Sequence, residues 1–77
     1  MKVKPDVMKF LIVIEQTHTD YSAYAPDVPG CIATGRTRDH VEREMKDAIA
    51  FHLDGLKADG IAIPRPTTSS SYVEIPA

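Results

Sequence analysis

The chain has 77 residues and a formal net charge of −2 at neutral pH, with 43% hydrophobic and 26% charged residues. This composition is typical of a folded globular domain and excludes a disordered segment. A chain of this length supports one domain with one hydrophobic core. The acidic balance argues against a nucleic-acid-binding module, which normally carries a basic face, so we expect no direct DNA binding.

Three features of the sequence predict a cytoplasmic protein. The single cysteine, Cys31, cannot form an internal disulfide, which fits a reducing compartment. No apolar run approaches the roughly 18 residues of a membrane span. Residues 1–6 do not begin a signal peptide, because the apolar run that follows ends at Glu15 without a small-residue cleavage site.

Residues 8–14 predict a first strand with two apolar faces. The side chains that alternate along it are Phe10, Ile12 and Ile14 on one face and Leu11 and Val13 on the other. Because one helix covers only one face of a sheet, the other face needs a further partner. We therefore predict a homo-oligomer, most simply a two-fold dimer formed through the sheet.

A polar turn at residues 15–20 leads into a second strand at residues 21–25, so the first two strands form a hairpin. A proline-rich corner follows. Pro29 and Gly30 fit the two central positions of a type II turn, in which glycine adopts a positive φ. The chain then leaves the corner as a short third strand at residues 31–34.

The best-specified element is a helix at residues 38–59. Thr37 is a suitable N-cap, and Gly60 suits the left-handed position just past the helix. Apolar side chains recur between these ends at three- and four-residue steps, which predicts one buried face. That apolar stripe comprises Val41, Met45, Ala48, Ile49, His52, Leu53 and Leu56.

Residues 61–71 predict a connector, extended at its prolines and flexible at its threonines and serines. Residues 72–75 are rich in β-branched and aromatic side chains, so they predict a fourth strand that ends at Pro76. The predicted order is β-β-β-α-β. This is an α+β fold in which one helix packs on one face of an antiparallel-rich sheet.

The residue types that carry chemistry do not form a catalytic, metal-binding or cofactor-binding group in the sequence. His18, His40 and His52 share no metal-ligand spacing, and Cys31 has no second thiol beside it. His52 lies within the apolar stripe, which favours a core-edge histidine hydrogen-bonded to the sheet. We therefore predict no catalytic residue, no metal and no cofactor.

Carboxylates at strand ends keep one enzymatic alternative open. Glu15 follows the first strand, and Asp20 or Asp27 could approach it to hold metal ions, as in a two-metal nuclease. Both aspartates, however, stand where turns commonly place an aspartate. The sequence therefore favours a binding protein and leaves a ribonuclease-type enzyme as the alternative.

Three motifs together resemble the HicB antitoxin family. They are Tyr-x-Ala-Tyr-x-Pro-Asp-x-Pro-Gly-Cys-x-Ala-x-Gly-x-Thr at residues 21–37, Ala-Ile-x-x-His-Leu-x-Gly-Leu at 48–56, and Asp-Gly-x-x-Ile-Pro-x-Pro at 59–66. The resemblance implies a partial ribonuclease H-like fold. It also implies that the protein neutralises a small basic toxin of the HicA type, which cleaves messenger RNA, and is not itself an enzyme.

The sequence departs from the family pattern in two places. His40 occupies the capping-box position where family members often carry an acid. Many members also continue beyond the fourth strand into a DNA-binding domain, whereas this sequence stops at Ala77. We predict a single HicB-like domain over residues 1–77 with no C-terminal DNA-binding domain. A solitary family member with a different partner stays an alternative.

Exposed carboxylates are the residues that the sequence offers for contact with a basic toxin. The candidates for partner binding are Asp20, Asp27 and Glu74. Their negative charge would complement a basic partner surface.

Overall fold

The computed structural model describes residues 7–77, so the signal-peptide argument on residues 1–6 lies outside the described part of the chain. Its elements, in chain order, are β1 (Val13–Gln16), β2 (Tyr21–Tyr24), β3 (Ile32–Gly35) and α1 (Arg38–Ala58). The strands form one antiparallel sheet in the order β1-β2-β3. The predicted α+β class is therefore confirmed.

The register of the sheet sorts its side chains into two faces. Ile14, Ala23 and Ala33 lie side by side across the three strands, and all three belong to or pack against the hydrophobic core. Their sequence neighbours therefore point to the opposite face, because side chains alternate along a strand. The helix packs on the inner face, mainly across β2 and β3.

The proline corner between β2 and β3 contains two consecutive turns. The backbone N–H of Val28 donates to the carbonyl of Ala25 at 3.1 Å, and that of Cys31 donates to the carbonyl of Val28 at 3.2 Å. Gly30 has a φ of 88°, as the predicted Pro29-Gly30 turn requires. Val28 is fully buried, so the corner also contributes to the core.

Both predicted ends of α1 are confirmed. The backbone N–H of His40 donates to Oγ1 of the N-cap Thr37 at 3.0 Å. At the other end Gly60 has a φ of 70°, and the N–H of Ile61 donates to the carbonyl of Leu56 at 2.9 Å. This six-to-one hydrogen bond is that of a Schellman ending, so local sequence determines where the helix stops.

The hydrophobic core lies between the helix, the inner face of the sheet and the proline corner. Its buried residues are Ala23, Ala25, Val28, Cys31, Val41, Met45 and Ile49. The remaining members of the predicted stripe are only half-buried: Ala48, His52, Leu53 and Leu56. The second half of the helix therefore extends past the three short strands and finds less of the chain to pack against.

The prediction of a fourth strand at residues 72–75 is wrong for the described chain. Residues 61–77 form no strand, and Tyr72 is fully exposed. A segment with high β-propensity becomes a strand only when another strand satisfies its backbone groups, and none pairs with it here. The first strand is shorter than predicted and lies further along the chain. It begins at Val13, which pairs with Tyr24 at the end of β2, and it continues to Gln16, so residues 15 and 16 belong to the strand and not to the predicted turn.

Candidate protein-binding surfaces

The sheet presents a mixed apolar and polar surface on the side away from the helix. We call this surface the outer sheet face and define it by Val13, Tyr24, Ile32, Glu15, Ser22 and Thr34. Val13, Tyr24 and Ile32 are direct neighbours across the three strands and form an apolar row. Tyr24 is 43% exposed and Ile32 is 73% exposed.

Glu15, Ser22 and Thr34 form the next row of the outer sheet face. An exposed aromatic and aliphatic pair with polar neighbours is the composition of a protein-binding patch, in which a tyrosine often carries much of the binding energy. Glu15 adds a negative charge to this patch. The outer sheet face is therefore suited to a partner whose contact surface is partly apolar and partly basic.

Asp27, in the proline corner, is bound by two threonines that follow it by about 40 positions. Its Oδ2 accepts from the backbone N–H groups of Thr67 and Thr68 at 3.0 and 2.9 Å. Its Oδ1 accepts from the hydroxyls of Thr67 and Thr68 at 3.2 and 2.6 Å. We call this group the threonine clamp. It ties the chain after the helix to the corner between β2 and β3.

The threonine clamp stabilises the ionised form of the Asp27 carboxyl. The hydroxyl and the backbone N–H of Thr68, helped by those of Thr67, lower the pKa of Asp27 below its usual value of 3.8. Asp27 is therefore a carboxylate at neutral pH, and its two oxygens already accept hydrogen bonds within the chain.

An apolar groove opens between the helix and the residues that lead into β1. We call it the β1 groove; its apolar lining includes Phe10, Ile12, Met45, Ile49 and Leu53, and its volume is about 310 Å³. Because the helix packs mainly on β2 and β3, the segment that leads into β1 is left partly uncovered. The β1 groove is a consequence of this off-centre packing.

Residues 69–77, beyond the threonine clamp, form an extended segment that we call the C-terminal arm. Three of its side chains are apolar and strongly exposed: Tyr72 at 100%, Val73 at 78% and Ile75 at 75%. Such side chains lie close together in sequence, so they form an exposed apolar stretch of a kind that commonly marks a binding segment.

The structure does not bring together the three acids predicted to bind a partner. Asp20 lies in the β1–β2 turn, where its N–H donates to Oγ1 of Thr17 at 2.8 Å. Asp27 lies at the opposite end of β2, in the threonine clamp. Glu74 is exposed in the C-terminal arm. Partner contacts by these acids stay a prediction, and Asp27 has an internal role that the sequence argument missed.

The sequence argument also missed Tyr24 and Ile32. The signal that could have found them is the alternation of side chains along the second and third strands. It places Tyr24 on the other face of the sheet from its buried neighbour Ala23, and Ile32 on the other face from its core-facing neighbour Ala33. The direct pairing of Tyr24 with Ile32 depends on the register across the turn, which only the structure supplies.

Cys31 is a core residue. It is 6% exposed, and its thiol donates to the carbonyl of Ala48 at 3.8 Å. Burial raises the pKa of the Cys31 thiol above 9.0, because the thiolate would lose its hydration. Its buried position therefore disfavours a reactive thiolate.

The histidines differ from one another in environment. Nε2 of His40 lies 3.3 Å from Oε1 of Glu44, one helical turn away. His52 is half-buried, but the described residues offer its ring no hydrogen-bond partner, so the predicted bond to the sheet is not formed. Across residues 7–77, no group of three histidine, cysteine or acidic side chains is placed to hold a metal ion.

Comparison with known proteins identifies the family. A family model described as "HicB_like antitoxin of bacterial toxin-antitoxin system" matches residues 10–77. The chain belongs to the HicB-like antitoxin family. No helix within residues 7–77 has the length and apolar character needed to cross a membrane.

Individual relatives agree with membership of the HicB-like antitoxin family. "Antitoxin HicB 2" of Photorhabdus laumondii is 30% identical over 91% of this chain and 51% of its own length. An uncharacterized 14.9 kDa protein of Haemophilus phage HP1 is 33% identical over 90% of this chain and 52% of its own. A UPF0150 protein of Helicobacter pylori is 36% identical over 65% of this chain and 69% of its own. The chain thus spans about half the length of the first two relatives.

The fold is also similar to that of a chain in the solved structure of a "HicA3 and HicB3 toxin-antitoxin complex". The TM-score is 0.61 at 27% sequence identity, over 77% of this chain and 72% of that one. A HicB-like antitoxin fold therefore covers most of the described residues.

Proposed function

We propose that this chain is an antitoxin that neutralises a small basic toxin of the HicA type by direct contact. The observation that carries the proposal is its family membership, since the family is that of bacterial HicB-like antitoxins. The likeness of its fold to a chain of a HicA3–HicB3 complex supports the same partner class. The formal net charge of −2 is compatible with a basic partner.

The outer sheet face is the surface that we assign to the toxin. Tyr24 and Ile32 supply the apolar centre that a stable interface needs. Glu15 lies in the adjacent row, and Asp20 lies in the turn that joins β1 to β2, at the same end of the hairpin. These two acids would face basic side chains of the toxin, which gives Asp20 the contact role predicted from sequence.

The test is co-expression with the small basic protein encoded beside this one, followed by affinity purification and a growth assay. Ile32→Lys places a positive charge in the apolar row, where it would repel a basic toxin, and we expect about tenfold weaker binding or more and loss of growth rescue. The matched control is Phe51→Lys. Phe51 lies on the helix and is 83% exposed. The substitution Phe51→Lys therefore adds the same charge as Ile32→Lys, but away from the outer sheet face.

The two variants distinguish the toxin-binding surface from the function itself. Unchanged binding by Ile32→Lys, with loss of binding by Phe51→Lys, would move the interface to the helix and overturn the outer sheet face. Failure of the unmodified chain to bind or neutralise such a neighbour would overturn the antitoxin role. A family member that acts on another partner would then be the better account.

We propose that the chain acts by binding and not by catalysis. Incubation of the purified protein with RNA and magnesium or manganese should leave the RNA intact. Cleavage that Glu15→Ala or Asp20→Ala abolishes would establish the ribonuclease-type alternative and remove the binding proposal.

Further parts of this proposal are a partial ribonuclease H-like fold within a single domain, a cytoplasmic location and the absence of direct DNA binding by these residues. Cell fractionation should place the protein in the cytosolic extract. A gel-shift assay with duplex DNA should show no salt-sensitive complex at physiological salt.

Self-association through the sheet, predicted from the two apolar faces of the first strand, also belongs to the proposal. Leu11 and Val13 prove half-buried, so the face they form is less open than the sequence suggests. Strongly exposed apolar side chains that could drive association also lie elsewhere, with Tyr72, Val73 and Ile75 in the C-terminal arm among them.

A further inference from the structure

The C-terminal arm has the composition of a strand and is unpaired in the described chain. Beyond Thr68, none of its backbone N–H groups donates to another part of the described chain. Its sequence, Tyr72-Val73-Glu74-Ile75, has the β-branched and aromatic character of a strand. Extended backbone with this composition is the material from which an added strand is made.

The same chain offers an edge that lacks a strand. Within residues 7–77, β1 lies at the edge of the sheet and pairs with β2 alone. Leu11 and Ile12, which lead into it, belong to no ladder. An edge of this kind presents a row of free backbone N–H and carbonyl groups that a further strand can bind.

The apolar side chains of the two elements match. The β1 groove lies beside the residues that lead into β1, with Phe10, Ile12 and Leu53 in its wall. A strand that continues along this lead-in segment, about 4.8 Å from it, would place alternate side chains over the groove, because successive residues point to opposite faces. Val73 and Ile75 are spaced to enter the β1 groove, while Tyr72 would point to the other face, beside Leu11 and Val13.

The arm does not fill this position in its own chain. Ser70, Ser71 and Tyr72 border a cavity of about 290 Å³ next to residues 11–14, yet they form no hydrogen bond with that segment. No strand ladder therefore joins the arm to β1 within the described chain.

The threonine clamp fixes where the arm departs. Thr67 and Thr68 hold its base against Asp27, so the arm starts from the proline corner and not from the helix end. Residues 69–77 can then extend by up to roughly 30 Å, at about 3.3 Å per residue. This reach is enough to cross onto a neighbouring molecule.

We propose that two copies of this chain exchange their C-terminal arms. Residues 72–75 of each copy add as a strand to the free edge formed by β1 and the residues that lead into it in the other copy, and Val73 and Ile75 fill its β1 groove. Exchange by a two-fold axis uses both arms and both β1 edges, so this contact closes within the dimer. This inference deepens the self-association included in the proposed function and is independent of toxin binding.

The first test is light scattering behind a sizing column at tens of micromolar, a concentration suited to weak association. The unmodified chain should elute with twice its mass of 8.5 kDa. The variant V73D/I75D should be a monomer, with the dimer dissociation constant raised by about tenfold or more. The control F51D introduces one charge at another exposed apolar side chain and should stay dimeric.

The outcomes separate this inference from self-association as such. A monomeric unmodified chain would overturn both. A dimer that V73D/I75D leaves intact would keep self-association and overturn the arm exchange.

Cross-linking then separates exchange between copies from closure within one copy. In a Cys31→Ala background, a tagged Leu11→Cys protein is mixed with an untagged Tyr72→Cys protein and oxidised. A mixed disulfide dimer supports exchange, and the pair Phe51→Cys with Tyr72→Cys should not form one. A doubly substituted Leu11→Cys/Tyr72→Cys chain that closes only on itself would show that the arm pairs with its own edge, which would overturn the exchange.

Discussion

Replacement of Gly35 by alanine tests how closely the helix approaches the sheet. A Cβ on Gly35 would lie 2.8 Å from the backbone nitrogen of Val41 and 3.1 Å from its Cα. The obstructing atoms belong to the first turn of α1 and not to a flexible side chain, so the whole helix end would have to move. Val41 and Met45 are fully buried, and that movement would disturb their packing.

Overpacking at a close contact of this kind costs about 1–3 kcal/mol of unfolding free energy. The matched control is Gly55→Ala. Gly55 lies inside the same helix, and an added Cβ there meets nothing within 4 Å. The control should raise the unfolding free energy by about 0.5–1 kcal/mol, because glycine weakens a helix interior relative to alanine. The same substitution is therefore expected to act in opposite directions at the two positions.

Urea unfolding followed by circular dichroism at one fixed protein concentration measures both variants. The concentration must be held constant because the proposed self-association would add to the apparent stability. In a thermal scan, each kcal/mol corresponds to a shift of roughly 4–8 °C in Tm for a domain of this size. If Gly35→Ala equals or exceeds the stability of the unmodified chain at an unchanged m-value, the close helix-to-sheet contact is not what positions α1.

Three further predictions concern single groups. Thr37→Ala removes the acceptor of the His40 N–H and should cost about 1 kcal/mol of unfolding free energy, measured by urea unfolding, whereas Thr37→Ser should retain most of it. The pKa of Asp27 is lowered in the folded protein, so its stabilising contribution is present above pH 3.8 and is lost as pH falls through the lower folded pKa. In an NMR titration the Thr68 amide resonance should therefore shift only in that acidic range. A shift that already occurs at higher pH would contradict the threonine clamp. Burial raises the pKa of Cys31, so a thiol reagent at pH 8 should react slowly with the folded chain and rapidly with the chain unfolded in denaturant. Equal reaction rates in the two states would contradict the buried position.

Local sequence determined the turns and the helix ends of this protein. The Pro29-Gly30 turn, the Thr37 cap and the ending at Gly60 each depend on residues within a few positions of one another. The conformations they need are available to few other residue types, so the sequence pattern predicted them correctly. The family motifs, which span these same features, predicted the family that the comparison then confirmed.

Only the tertiary structure decided which segments find partners. The strand composition of residues 72–75 is plain in the sequence, but a strand requires an edge to pair with, and no strand of the described chain pairs with those residues. The position of the helix over β2 and β3, which opens the β1 groove, likewise depends on packing between distant elements.

Asp27 has one structural role that local sequence predicts and another that only the tertiary structure reveals. Its sequence context predicted a turn residue, and the turn is there. Its hydrogen-bond partners, Thr67 and Thr68, stand 40 and 41 positions later, and no local pattern indicates that they meet it. Conformations set by neighbours along the chain can be read from the sequence, whereas contacts that close long loops emerge only once the whole fold places both ends together.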